Sequence, residues 1–150
     1  MERKEWVLSV LYSPGKNNDT CEPINGSLRI MKILFMMGQE NKNLPNFYNQ
    51  WQKYLYGPCD FGVYEDISSL KENLLVEEKE QPFQSFMVFN LTAKGKGKAE
   101  ESFKLLNKDV QNLIKDIKNI ANSRQSLKNL LEYIYRKYPG WDTNSIFKLD

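Results

Sequence analysis

Apolar and polar positions divide this chain into short periodic segments separated by proline, glycine and Asx-rich stretches. From Arg3 to Tyr12, Trp6, Val7, Val10 and Leu11 fall at i, i+1, i+4 and i+5, one face of a short helix. Ser13-Pro14-Gly15 and the Asx residues after it end that helix in a loop reaching Asn25-Gly26. Ser27 predicts the cap of a second helix to about Glu40, apolar nearly all round and interrupted only by Arg29 and Lys32 before Gly38. A helix without a polar face belongs in the middle of a domain. The dense aromatics Phe47, Tyr48, Trp51, Tyr54 and Tyr56 predict a strand over 47–56, broken by Gly57-Pro58. Asp60 then predicts the cap of a third helix, with a stripe at Val63, Ile67, Leu70 and Leu74. Leu75–Glu78 and Phe83–Leu91, joined by Lys79-Glu80-Gln81-Pro82, predict a hairpin.

Thr92 predicts the cap of a fourth helix, in which Ala99, Phe103, Leu106, Val110, Leu113, Ile117 and Ile120 alternate by four and three. That is about three heptads, the minimum for a coiled-coil seam. Asn122-Ser123 bends the helix, and Leu127, Leu131, Ile134 and Tyr138 carry a last amphipathic segment to Pro139-Gly140. Residues 139–150 read as a tail, loose from Trp141 onward. The expected organisation is a core over 1–92 and a helical extension over 93–138 that packs on it or pairs with a second copy.

Composition narrows the chemistry. A chain of 150 residues, 41% of them apolar, can close one core. Histidine is absent, which excludes a Ser-His-Asp triad, a Cys-His pair and any histidine-ligated metal. Two cysteines, Cys21 and Cys59, are too few for a disulfide framework or a four-cysteine zinc site, and free thiols are expected. No carboxylate pair has the spacing of general acid–base work, so the expectation is a non-enzymatic protein with no metal and no cofactor. No apolar run reaches the roughly 18 residues of a membrane span. Met1-Glu2-Arg3-Lys4-Glu5 lacks the apolar stretch of a signal peptide, so a cytoplasmic location without membrane association is expected.

Helix, helix, strand, helix, hairpin and further helix is the order of a winged helix-turn-helix. Three short helices cannot close a core alone, and a hairpin covers the open side. The expected class is α+β, mainly α, with additional C-terminal helices. Met31-Lys32-Ile33-Leu34-Phe35, Phe47-Tyr48, Tyr56-Gly57-Pro58, Val63-Tyr64-Glu65-Asp66-Ile67 and Leu91-Thr92-Ala93-Lys94-Gly95 occur in that order. In these segments the chain resembles bacterial and archaeal winged-helix proteins. It is more distantly similar to the Panacea (SocA-like) antitoxin domain, which shares the Tyr-Gly-Pro turn before an acidic helix. The first resemblance implies DNA binding and the second a protein partner, in both cases by analogy of fold.

Charge separates the two. Net charge is +2 overall, but residues 41–81 carry −3 and residues 82–150 carry +5. The third helix holds Asp60, Glu65, Asp66 and Glu72 against Lys71, and the hairpin tip Glu77, Glu78 and Glu80 against Lys79. DNA affinity rests on phosphate neutralisation, so these acids oppose it where a winged helix would grip. The expected DNA contacts are Ser68, Ser69, Lys71, Lys79 and the glycine-interleaved Lys94, Lys96 and Lys98 at a helix start. A solvated basic turn, with glycines easing close packing, is the plainer reading of that last segment. Tyr48, Tyr54, Tyr56, Glu65, Asp66 and Glu72 are the expected protein-interaction residues. Phe103, Leu106, Val110, Leu113, Ile117 and Ile120 are the expected seam of a homodimer. DNA association is placed first because winged helices so often do it, with a protein-interaction module as the alternative.

Overall fold

The computed structural model describes residues 1–84 and 86–147. They form an α+β fold, about half helical, with six helices and two small antiparallel sheets among the described residues. Helix α1 (Glu5–Tyr12) leads through a loop to β1 (Ile24–Asn25) and then to α2 (Ser27–Glu40). A hairpin of β2 (Gln52–Tyr54) and β3 (Gly57–Cys59) precedes α3 (Phe61–Glu72). A second hairpin, β4 (Val76–Glu80) and β5 (Met87–Leu91), follows, and then α4 (Ala93–Lys104), α5 (Lys108–Ser123) and α6 (Leu127–Lys137).

The apolar runs go where their lack of a polar face requires. Trp6–Tyr12 of α1 and Arg29–Met37 of α2 are buried throughout. Helix α4 packs along α1 and α5 along α2, so the C-terminal helices share one core with the N-terminal ones. Asp60 and Thr92 cap α3 and α4 as their side chains predict, accepting from Gly62 N at 2.8 Å and Gly95 N at 2.9 Å.

Several expectations need correction, beginning with the cap of α2, where Gly26 holds the cap position and Ser27 is already the first helical residue. The third strand of the main sheet is Ile24–Asn25, within the stretch read as loop. Ile24 pairs with Phe89 and Asn25 with Val88, giving the sheet order β1-β5-β4. A two-residue strand shows no alternation, so nothing in the local pattern announces it. Conversely, Phe47–Trp51 is not a strand. Phe47 packs edge-on against Trp6 at 5.4 Å and Trp51 against Phe35 at 5.3 Å, so the aromatics anchor a loop to two helices. Gly57-Pro58 does not break a strand but begins β3, turning back on β2 through Leu55 and Tyr56. Gly57 holds φ at +82°, and a Cβ there would lie 2.9 Å from Tyr135 Oη.

The heptad pattern does not run along one helix. α4 ends at Lys104, and Asn107 caps α5 by accepting from Val110 N at 3.0 Å. Gln111 Nε2 donates to the carbonyls of Phe103 and Leu106, both at 3.0 Å, satisfying groups that the end of α4 leaves open. The tail is also folded as far as Phe147. Trp141 lies 4.8 Å from Phe35, Tyr135 Oη donates to the buried Ser145 Oγ at 2.6 Å, and Ile146 N donates to Leu55 O. Residues 148–150 lie outside the described residues.

Candidate docking surface

Helix α3 turns Val63, Ile67 and Leu70 inward, and these residues are buried. Its outer face is Phe61, Glu65, Ser68 and Glu72, spaced four, three and four, all exposed. None of these four is a cation, and the cation that reaches the line is Arg3, whose Nη2 lies 3.8 Å from Glu65 Oε2. Lys71, to one side, forms an ion pair with Glu78 of β4. Ser69 is half-buried.

Beside the N-terminal end of α3 the β2–β3 turn presents Tyr54, Leu55 and Tyr56, 40–53% exposed. Tyr54 meets Phe61 edge-on at 5.3 Å, and Phe61 lies 6.3 Å from Tyr64. Ile146, 57% exposed, is tied to the same turn by its bond to Leu55. The result is a continuous aromatic and aliphatic patch adjoining an acidic helix face. Patches of this kind mark contact surfaces more often than single exposed apolar residues do.

Two expected interaction residues are internal instead. Tyr48 is buried, and its hydroxyl donates to Asp66 Oδ2 at 2.7 Å. Arg3 forks onto the same carboxylate, Nε to Oδ2 at 2.8 Å and Nη2 to Oδ1 at 3.1 Å, with its guanidinium 5.1 Å over the Tyr48 ring. The hydrogen bond to Asp66 holds Arg3 above its ordinary pKa. Burial, with Asp66 alongside, pushes the Tyr48 phenol up. This trio locks the N-terminal half of α3 to Arg3 and the loop of Tyr48, which leaves Tyr54, Tyr56, Glu65 and Glu72 as the exposed members of the set.

The expected phosphate contacts are dispersed. Lys79 pairs with Glu77 at 3.2 Å, and Lys94 Nζ donates to Asn73 O at 3.3 Å. Lys96 and Lys98 are exposed. On α4, Lys94 and Lys98 share a face, whereas Lys96, two residues on from Lys94, points elsewhere. Thr92 already occupies one of the amides that a phosphate would use at this helix start. Of the expected seam, Val110 and Ile117 are buried in the chain's own core, and Phe103 packs 5.3 Å from Tyr12. Leu106 and Leu113 are half-buried against that core, and Ile120 is half-buried. Cys21 and Cys59 are free thiols. Comparison of the chain with protein-family models, with curated proteins and with solved structures gives no match. Among the described residues no helix is long and apolar enough to cross a membrane.

Three buried cations were invisible to pattern reading, and each serves backbone carbonyls. Lys118, which its charge alone places on a solvated face, donates to Ser13 O at 2.6 Å and Leu11 O at 3.3 Å, closing the end of α1. Arg29 Nη1 donates to Ala121 O and to Arg124 O, closing the end of α5. Lys32 Nζ donates to Pro58 O at 2.7 Å, joining α2 to β3. Burial pushes Lys32 and Lys118 down to about 7 and lowers Arg29 as well. Cations suit helix C-termini, where carbonyls and the helix dipole both attract positive charge.

Proposed function

We propose that this chain is a non-enzymatic protein-interaction module on a winged-helix framework, docking a basic partner segment through α3 and the aromatic turn beside it. The framework reading rests on element order α1, β1, α2, α3, β4, β5, with the β2–β3 hairpin inserted before α3, and on sheet order β1-β5-β4, with the first strand beside β5 of the wing hairpin. The observation that carries the function is the outer face of α3. A winged helix that reads DNA presents that face to the major groove. Here it offers Phe61, Glu65, Ser68 and Glu72, with the nearest lysine already paired. Phosphates would be repelled there, whereas a segment bearing Lys or Arg and an apolar anchor finds complementary charge and an aromatic seat. Contact with DNA phosphates, the other reading, draws on exposed Lys94, Lys96 and Lys98, which do not share one face.

Selection of peptides from a random displayed library tests this. The module is expected to enrich basic sequences with an aromatic or aliphatic anchor, and Phe61→Ala or Glu65→Lys is expected to weaken them at least about tenfold, the usual effect of losing a central anchor. Saturable binding to short duplex DNA that weakens steeply with salt, unaffected by those two substitutions, would overturn the proposal.

A further inference from the structure

A cleft of about 720 Å³ opens between the wing sheet and the starts of α2 and α6. Its volume is that of a small-molecule site. One wall is apolar, built from Phe86, Met87 and Phe89; the opposite side is polar, with Ser27, Arg29 and Ser126. Tyr56 also lines it, but Tyr54, Phe61 and Glu65 of the docking surface do not.

The polar side lacks negative charge. The N-cap of helix α2 is Gly26, which has no side chain to cap it, and no acid stands in the first turn. Among the described residues, the amides of Ser27, Leu28 and Arg29 have no acceptor. Helix α6 starts at the same cleft. Ser126 caps Asn129 N there, and its first turn too holds no acid. Between these two positive dipole ends sits Arg29, 5% exposed. Its Nε and Nη1 reach only carbonyls, of Asn25, Ala121 and Arg124. Nη2 makes no hydrogen bond among the described residues and keeps access to solvent at the cleft wall, and no carboxylate among them pairs with the guanidinium. Among the described residues of the wall the one acid is Glu78, and its carboxylate is already on Lys71. Free helix amides and a buried guanidinium with an idle donor form an oxyanion seat.

We infer that this cleft binds a small organic anion, its carboxylate or phosphate head on the first turn of α2 and Arg29 Nη2, its apolar body against Phe86, Met87 and Phe89. The amide wall supplies the attraction, and the sheet side makes a bare inorganic ion a poorer ligand than an amphiphilic one.

Amide chemical shifts of the whole chain, at constant ionic strength, read the site directly. Benzoate or phenyl phosphate is expected to move Ser27, Leu28, Arg29 and Leu127 saturably, with Kd below about 1 mM, a weak but specific affinity. Inorganic phosphate and benzyl alcohol, head and body alone, are expected to bind at least about tenfold more weakly. Arg29→Met also uncaps α5 and can unfold the protein, so the decisive variant is Ser27→Glu. It places a carboxylate in the first turn of α2, which the dipole favours, and is expected to abolish anion binding while leaving the melting temperature equal or higher. No saturable shift with either aromatic anion up to about 10 mM, well beyond the affinity such a seat supplies, would overturn the inference. So would a Ser27→Glu protein that binds them as the parent does.

Discussion

Gly95 and Gly97 stand two residues apart in the same basic segment and answer to different constraints. A Cβ on Gly95 would lie 1.8 Å from the carbonyl oxygen of Leu75, because the start of α4 lies directly on the end of the α3–β4 connection. A Cβ on Gly97 meets nothing within 4 Å. Gly95→Ala is therefore expected to cost about 2 kcal/mol or more through forced backbone displacement. Gly97→Ala is expected to stabilise by about 0.5–1 kcal/mol, since alanine loses less conformational freedom in a helix. Urea denaturation of the two single variants checks both signs. Packing thus accounts for Gly95 without any appeal to phosphate. At the same scale, Tyr48 and Asp66 show how a residue type misleads. An aromatic phenol and a carboxylate read as surface chemistry until Arg3, far away in sequence, is seen to bind both.

Among elements, the caps are the most legible feature. Asp60 is 2% exposed and does two jobs, accepting from Gly62 N at the start of α3 and from Gln50 N at 2.9 Å. It therefore fastens the aromatic loop to the helix that carries the proposed docking face. Asp60→Ala is expected to lower stability by about 2 kcal/mol, the upper range for a lost cap, because Gln50 N is stranded as well. A lower urea midpoint with unchanged slope is the result to look for. Asn107 has the same capping chemistry, yet the heptad spacing across it reads as one helix. Periodicity of three and four survives a helix break whenever the next helix resumes in phase, so spacing alone does not reveal the turn at Leu105-Leu106. Strand β1 was illegible for the opposite reason: its two residues pair through backbone groups with a strand more than sixty positions away.

For the molecule as a whole, Lys32 and Lys118 couple stability to pH. Both titrate near 7 in the folded chain and near 10.5 when unfolded. Between those values the unfolded chain binds more protons, so stability rises with pH and is lowest below 7, where both lysines must be charged in place. From pH 7 to 9 the gain is about 2 kcal/mol per lysine. Above about pH 10 the trend reverses, because Tyr48 stays neutral in the fold while the unfolded phenol ionises. Calorimetry is expected to show the melting temperature climbing between pH 7 and 9, and Lys32→Met is expected to remove roughly half of that climb. A parent protein with a flat profile over this range would refute the assignment.

Local spacing accounts for the helices with strong apolar faces, the caps at Asp60 and Thr92, the β4–β5 hairpin and the acidity of α3. Each depends on neighbours within a few positions, where spacing and side-chain chemistry suffice. The folded arrangement alone places Ile24–Asn25 in the sheet and makes the aromatics of 47–51 anchors. It also decided that Tyr48 and Asp66 are spent inside, and that Arg29, Lys32 and Lys118 hold carbonyls contributed by other elements. Those facts are set by contacts between residues distant in the chain, and a polar side chain's role depends on which backbone groups the fold leaves open beside it.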